Sequence, residues 1–250
     1  MRIVMRGVTL AAVLAMTSTA VSAAPRETRY LGYATEQGSG RYLYTEVHRH
    51  QYDGVQWRSG SIRYVAPDGR LLGEKTLDFS RDPYVPLMRY RLPGAGYEER
   101  ITAVSGNGLQ LEKVRNGQVE RKTLPRLPDL AADSGFNALL VDKLATLEAG
   151  KPVSLRLAVV GQLDQYRFRI LPQGRIRVGD EQALRLRIQP DSLLRLLVDP
   201  IDVVYGLTSR ELLQYRGVSN VLNPATGKAY LVDIDYRRKP ATAPGTLPAP

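Results

Sequence analysis

The sequence predicts a mainly β protein: an antiparallel curved sheet, either a half-barrel or an open barrel, wraps around one amphipathic helix, and one short helix is added to it. Three observations lead to this prediction. Apolar and polar residues alternate with a period of two over most of the 250 residues. Tight-turn sequences at 67–69 (PDG), 106–108 (GNG) and 116–117 (NG) separate the alternating segments. One central segment instead has helical spacing.

The alternation places strands along both halves of the chain, with an extended, proline-rich connector (TLPRLPDL) before the helix. In the first half, strands are predicted at 28–35, 41–52, 56–65, 70–79, 97–104, 109–115 and 118–124. In the second half, they are predicted in VSLRLAVV, DQYRFRIL, RIRV, ALRLRI, DVVYG, ELLQYRGVSNVL and AYLVDIDYR.

The predicted helix spans 133–149. Asp133 or Ser134 can cap its start, and Gly150 followed by Pro152 ends it. Apolar side chains recur on one face of this segment, which makes it an amphipathic helix of about four turns. They are Phe136, Leu139, Leu140, Leu144 and Leu147.

A leucine-rich stretch at 186–206 (LRIQPDSLLRLLVDPIDVVYG) raises the question of a membrane span. A transmembrane helix needs about twenty apolar residues, whereas charged residues and prolines interrupt this stretch. It is interpreted as a short helix at 192–198, capped by Asp191 and ended by Pro200, followed by a strand. Two roles stay open for this helix: a plug that closes one end of the β core, or a mobile lid over a ligand cavity.

The first residues have the layout of a secretory signal peptide, with Arg2 and Arg6, an apolar run and small residues up to Ala23. Residues 1–23 are therefore predicted to be a cleaved leader, and the mature protein is expected in the periplasm. Residues 24–238 are predicted to form a single domain, because one β core can reach that length. The proline- and alanine-rich tail, 239–250, is predicted to be disordered.

The composition narrows the choice of partners. The chain has a formal net charge of +10 and no cysteine, so neither disulfides nor thiol chemistry contribute. A basic protein attracts anionic partners, and export favours envelope lipids or lipopolysaccharide over nucleic acid. No nucleic acid and no cofactor are expected, and contact with a membrane is expected to be peripheral at most.

Glu46, His48 and His50 alternate on one predicted strand and share one of its faces. Two imidazoles at this spacing can chelate a divalent metal with a carboxylate as the third ligand, which would suit a metal-dependent hydrolase. The alternative is a polar, solvated strand face. Both interpretations stay open at the level of sequence.

Other catalytic patterns are weak. No G-x-S-x-G nucleophile motif and no glycine-rich phosphate loop occur in the chain. Asp233 and Asp235 share a strand face, but with Arg237 and Arg238 beside them they are interpreted as an exposed edge of mixed charge. The sequence therefore gives no positive support for an enzyme.

Arginines alternate with apolar residues in consecutive strands after the central helix. If these strands are neighbours, the sheet has an apolar face and a face that presents seven guanidinium groups. A guanidinium binds phosphate or carboxylate through two parallel hydrogen bonds, so this face is the predicted ligand-binding site. The alternative is that carboxylates on other strands pair with these arginines. The seven are Arg156, Arg167, Arg169, Arg175, Arg177, Arg185 and Arg187.

The segment 196–236 (LLVDPIDVVYGLTSRELLQYRGVSNVLNPATGKAYLVDIDY) resembles the closing β-meander of uncharacterised exported bacterial β domains. These domains are loosely grouped with the half-barrel lipoprotein carriers and receptors of the Lol type. The resemblance implies a curved antiparallel sheet that closes over helices and holds lipid tails on its concave side. This chain differs in placing its long helix in the middle, and the resemblance assigns no functional residue.

Together these patterns predict a non-enzymatic periplasmic protein that binds an amphiphilic or anionic envelope component, such as a lipid or a lipopolysaccharide-like molecule. A second hypothesis is a structural or assembly partner in an envelope complex, which would use exposed strand edges and the proline-rich tail. The hydrolase at His48 and His50 is the third. Whether the sheet encloses a cavity or a filled core is left open by the sequence.

Overall fold

The computed structural model describes residues 25–191, 199–244 and 246, and these form fifteen strands, one α-helix and two 3-10 turns. The predicted leader and the predicted short helix at 192–198 lie outside the described residues. Helix α1 is Gly135–Glu148, and the 3-10 turns are Pro93–Ala95 and Val160–Gln162. The strands are β1 (Arg26–Glu36), β2 (Tyr42–Asp53), β3 (Gln56–Val65), β4 (Leu71–Asp78), β5 (Leu87–Leu92), β6 (Tyr97–Val104), β7 (Gly108–Arg115), β8 (Gln118–Pro125), β9 (Leu130–Ala132), β10 (Val153–Val159), β11 (Asp164–Val178), β12 (Glu181–Pro190), β13 (Ile201–Gly206), β14 (Leu212–Leu222) and β15 (Ala229–Asp235).

All fifteen strands belong to one open sheet, in which strands adjacent in the chain are hydrogen-bonded neighbours. The exception is β8 and β9, which form the two ends of the sheet. The first and last strands meet in its middle, where β1 pairs with β15 from Tyr33 opposite Asp235 to Glu36 opposite Val232. Among the described strands, β9 and β10 are the one parallel pair. The predicted fold class, an open antiparallel sheet with one long helix, is confirmed.

Three elements differ from the sequence prediction. Strand β5 was missed, because it is six residues long and directly follows a segment with two prolines, which hides its alternation. The predicted connector ends at Leu130, where the three-residue strand β9 begins and pairs with β10. Strand β11 is one strand of fifteen residues where two were predicted, and its pairing with β12 shifts between Pro172 and Arg175.

The sheet curls until its two end regions approach each other. Lys122 of β8 lies at one end, and its Nζ is 3.4 Å from a carboxylate oxygen of Asp164 in β11, near the other end. The turn Val160–Gln162 packs against the inner side of β6. A Cβ on Gly161 would lie 2.6 Å from a carboxylate oxygen of Glu99 and 2.7 Å from the hydroxyl of Tyr97, so glycine permits this close approach.

Helix α1 fills the space inside the second half of the sheet. Its buried leucines pack against inward side chains of β10 to β13, and fully burying one such side chain contributes about 1.5 to 3 kcal/mol. The described residues that line a groove on the outer face of the sheet and a surface cavity beside Asp82 include none from α1. No described helix has the length and hydropathy to cross a membrane. The buried residues of this cluster are Ala131, Leu139, Leu140, Leu144, Leu147, Leu155, Ile170, Leu184, Leu186, Ile188, Val203 and Tyr205.

The interior of the first half is richer in hydroxyl groups than the apolar face that the sequence predicts. The Tyr44 hydroxyl is 2.7 Å from the Ser219 hydroxyl, and the Asn220 side-chain amide donates to the Tyr64 hydroxyl over 3.2 Å. The Tyr90 hydroxyl donates to the backbone carbonyl of Asn220. A buried tyrosine keeps its apolar ring in the core only if its hydroxyl has a partner, and β14 supplies these partners.

A buried ion pair joins the start of α1 to the sheet. The Lys75 ammonium of β4 donates to a carboxylate oxygen of Asp133 over 2.6 Å, and their side chains are 4% and 12% exposed. Asp133 has a positive φ of 47° and accepts hydrogen bonds from the backbone N–H and hydroxyl of Ser134. The pair therefore fixes the residue from which α1 starts.

We expect Lys75→Met to lower the free energy of unfolding by about 3 to 5 kcal/mol, because it leaves the Asp133 carboxylate buried without a cation. Chemical denaturation measures this change. Lys113→Met is the matched control, since its partner Glu120 is 61% exposed and such a pair is worth at most about 1 kcal/mol. Equal losses in the two variants would contradict a structural role for the Lys75–Asp133 pair.

Candidate functional site

The three residues of the predicted metal site come together on the inner face of β2. Glu46, His48 and His50 are 5%, 6% and 3% exposed, so the alternative of a solvated strand face is wrong. They are covered because the curled sheet places β15 and its continuation beside β1. The pattern of one strand could not reveal this, since one of the covering side chains, Tyr236, lies near the other end of the chain.

Glu46 and His48 form a hydrogen-bonded pair that also holds the last strand. The Nε2 atom of His48 is 2.9 Å from Oε2 of Glu46, and the Tyr236 hydroxyl donates to the same oxygen over 2.9 Å. Gly32 lies opposite Glu46 in β1, and a Cβ there would lie 2.5 Å from the Tyr236 ring. Glycine at 32 thus makes room for the tyrosine that bonds Glu46.

Aromatic rings enclose both imidazoles. The His48 ring stacks on Tyr30 at a centroid distance of 4.4 Å, and the His50 ring stacks on Trp57 at 4.1 Å. Burial, with a smaller electrostatic contribution from the neighbouring His48, lowers the pKa of His50 from 6.5 to about 2, so His50 stays neutral. Burial also raises the pKa of the Tyr30 and Tyr236 hydroxyls well above their usual value, so both remain protonated.

This cluster has the geometry of a packed hydrogen-bond network. Among the described residues, no group of three or more histidine, cysteine or acidic side chains is placed to hold a metal ion. His48 already directs Nε2 at Glu46, and its buried Nδ1 has no hydrogen-bond partner in the described part of the chain. We therefore interpret Glu46, His48 and His50 as part of the packed interior of the protein.

The pKa of His50 makes the stability of the protein depend on pH. As the pH falls below 6.5, the unfolded chain protonates His50 while the folded chain does not, down to about pH 2. The free energy of unfolding should therefore fall on acidification, with His50 contributing about 1.4 kcal/mol per pH unit. His50→Phe keeps a ring beside Trp57 and removes this contribution.

Urea denaturation at pH values from about 5 to about 7 measures the free energy of unfolding of the wild type and of His50→Phe, with the fluorescence of Trp57 as the signal. Trp57 is the single tryptophan of the chain and stacks on residue 50. A stability that depends on pH equally in the wild type and in His50→Phe would show that His50 does not carry the effect.

The seven predicted arginines do not share one face. The shift in β11 between Pro172 and Arg175 reverses the side on which later residues point. Arg175 consequently bonds Glu148 of α1 on the inner side, with 2.8 Å between Nη2 and Oε1, and Arg177 lies on that same side. The prediction of a single arginine face is wrong for these two. Those on the outer face are Arg156, Arg167, Arg169, Arg185 and Arg187.

Carboxylates neutralise most of this set, as the alternative interpretation expected. Arg187 forms a bidentate salt bridge with Asp202, with Nε 2.9 Å from Oδ1 and Nη2 3.1 Å from Oδ2. Arg156 contacts both carboxylate oxygens of Asp129, and Arg167 lies 3.9 Å from a carboxylate oxygen of Asp191. Arg177 donates to a backbone carbonyl. Within the described residues, the side chains of Arg169 and Arg185 make neither a hydrogen bond nor an ion pair.

Two of the predicted arginines, Arg185 and Arg187, line a groove of about 570 Å³ on the outer face of the sheet. Its floor consists of β12 to β15 and β1. The C-terminal segment forms part of its wall through Arg238 and Pro240. The polar lining residues are Tyr33, Thr35, Gln173, Arg185, Arg187, Asp202, Gln214, Tyr215, Arg216, Asp233, Asp235 and Arg238.

Sequence reasoning missed most of the groove. Asp233 and Asp235 were interpreted as an exposed edge, but β15 lies between β1 and β14 in the middle of the sheet. Arg216 bonds both oxygens of Asp233 over 2.8 Å. The signal that could have found this pair is the matching alternation of β14 and β15, which are joined by a short hairpin.

Comparisons with known proteins add little to this geometry. No protein-family model matches the sequence, and no curated protein matches it either. The chain is similar to the crystal structure of a beta-barrel-like protein of the domain of unknown function DUF1849 from Brucella abortus. The two are 12% identical with a TM-score of 0.47, and the match covers 84% of this chain and 98% of that one. Similarity at this level carries no argument about function.

Proposed function

We propose that this protein is a non-enzymatic binding protein of the periplasm, which holds an anionic component of the cell envelope in the outer groove. The observation that carries this proposal is Arg185, an exposed guanidinium that lines the groove and has no carboxylate partner among the described residues. Arg238 adds a second guanidinium, whose side chain makes no ion pair there. Both are free to bind an oxyanion of a ligand.

The charge of the whole chain supports an anionic ligand. A formal net charge of +10, or +8 without Arg2 and Arg6 of the predicted leader, attracts anions over a distance and raises the rate of encounter with an anionic surface. The leader predicted at residues 1–23 supports a place in the periplasm, where lipopolysaccharide and anionic lipids are the abundant anions. The hydrolase hypothesis is not favoured, because His48 and His50 are buried and engaged in contacts inside the protein.

We expect Arg185→Ala to weaken binding to lipopolysaccharide about tenfold or more, because a hydrogen bond to a charged group is worth about 1.5 to 3 kcal/mol. Cosedimentation measures the binding of each variant to lipopolysaccharide, to phosphatidylglycerol vesicles and to phosphatidylcholine vesicles. Arg63→Ala is the matched control, since Arg63 is exposed on β3, makes no ion pair in the described chain and lies outside the groove.

Three results would overturn this proposal. The first is equal binding by Arg185→Ala and Arg63→Ala. The second is equal binding to phosphatidylcholine and to the anionic ligands. The third is no binding to any anionic ligand at low salt, where electrostatic attraction is strongest.

A second candidate function, an assembly partner in an envelope complex, has one observation in its favour. Strand β8 is an end of the sheet, paired only with β7, and seven of its eight residues are exposed. A free edge strand can accept a strand of another protein. A photocrosslinker in place of Val119 in β8 should then capture one protein in cells, whereas one at Val55, on the exposed turn after β2, should not. Identical products from both positions would contradict this function.

A further inference from the structure

We propose that the ligand of the outer groove is an acidic saccharide, that is, a sugar chain that carries carboxylate groups. This inference rests on the proposed function, because it names the chemical class of the anion bound at the same site. It depends on the order of side chains across the groove floor, which the strand register fixes.

One row of side chains across the floor is already neutral. It runs from Arg187 to Asp202, Arg216, Asp233 and Thr35, each directly opposite the next on neighbouring strands. Arg187 bonds Asp202, and Arg216 bonds Asp233. These four charged side chains form two salt bridges. The row therefore has no net charge, but its remaining donor and acceptor atoms can form hydrogen bonds with a ligand.

The adjacent row offers single donors and acceptors. It runs from Arg185 to Val204, Gln214, Asp235 and Tyr33. Arg185 has no partner among the described residues. Asp235 uses Oδ1 to accept the backbone N–H groups of Arg237 and Arg238, while Oδ2 receives only a long bond of 3.4 Å from Gln214. Among the residues that the structure describes, a guanidinium without a partner thus lies in the same row as a carboxylate oxygen that can accept a further hydrogen bond.

This mixture fits a sugar acid better than a lipid phosphate. The groove holds four guanidinium groups but also three carboxylates. A lipid phosphodiester carries one negative charge, as a sugar carboxylate does, but its phosphate oxygens only accept hydrogen bonds and so give Asp235 no donor. Sugar hydroxyls both donate and accept, so they can bond Asp235, Gln214 and Tyr33, while one carboxylate of the ligand binds Arg185. The cavity volume of about 570 Å³ lies within the range of small-molecule sites.

The test compares three soluble probes by calorimetry: trigalacturonate, its methyl ester, which lacks the charges, and inorganic phosphate. We expect the wild type to bind trigalacturonate at least tenfold more tightly than the ester. Arg185→Ala should remove that preference, whereas Arg63→Ala should retain it. Loss of one charge-assisted hydrogen bond should weaken binding about tenfold.

Asp235→Asn separates the saccharide from a phosphate ligand, because the two should respond in opposite directions. Asn keeps an oxygen for the N–H groups of Arg237 and Arg238, so the groove wall is retained. Without the carboxylate, saccharide binding should weaken about fivefold, and binding of phosphate or phosphatidylglycerol vesicles should strengthen. Thermal denaturation checks that the variant is folded.

The outcomes distinguish this inference from the proposed function. Binding of phosphatidylglycerol vesicles that depends on Arg185, without binding of trigalacturonate, would overturn the saccharide and leave the anion-binding function intact. Tighter binding of trigalacturonate by Asp235→Asn would also overturn it. Failure of every anionic probe to bind would overturn both.

Discussion

The two-residue period of the strands is the constraint on which the rest of this structure depends. In one open sheet of fifteen strands, each side chain lies on either the inner or the outer face, and the pairing register places it in a row with others. The inner rows contain Tyr44, Tyr64 and Tyr90 and the pair of Glu46 and His48. The outer rows contain the alternating arginines and aspartates of the groove.

The seam between the first and last strands shows how the inner face is held together. Only four residue pairs join β1 to β15, from Tyr33 opposite Asp235 to Glu36 opposite Val232. The bond from Tyr236 to Glu46 extends this seam into the interior, and Gly32 leaves space for the tyrosine ring. Burying a carboxyl group is costly unless it is hydrogen-bonded. The hydrogen bonds of Glu46 with His48 and Tyr236 therefore offset the cost of burying its side chain.

Local patterns of the sequence predict the elements but not their surroundings. Alternation and turn residues predicted β3 and β6 with their observed bounds, and helical spacing predicted α1 to within two residues at either end. The burial of His48 depends on Tyr236, which is 188 residues away, and a period of two is the same for a solvated and a covered strand face. The prediction of a single arginine face was wrong for a local reason, because the register shift after Pro172 moves Arg175 to the inner side.

In the proposed function, attraction and selection of the ligand would depend on different charged groups. The net charge acts over about a Debye length and does not distinguish one anion from another. The pairs of Arg187 with Asp202 and of Arg216 with Asp233 add almost nothing to that long-range field, yet they fix the positions of donors and acceptors along the groove. Arg185, which has no partner among the described residues, would bind most tightly a ligand whose charge matches its guanidinium and whose hydroxyl groups match the neighbouring row. On the proposed function, this is how a basic protein could distinguish one anion from another.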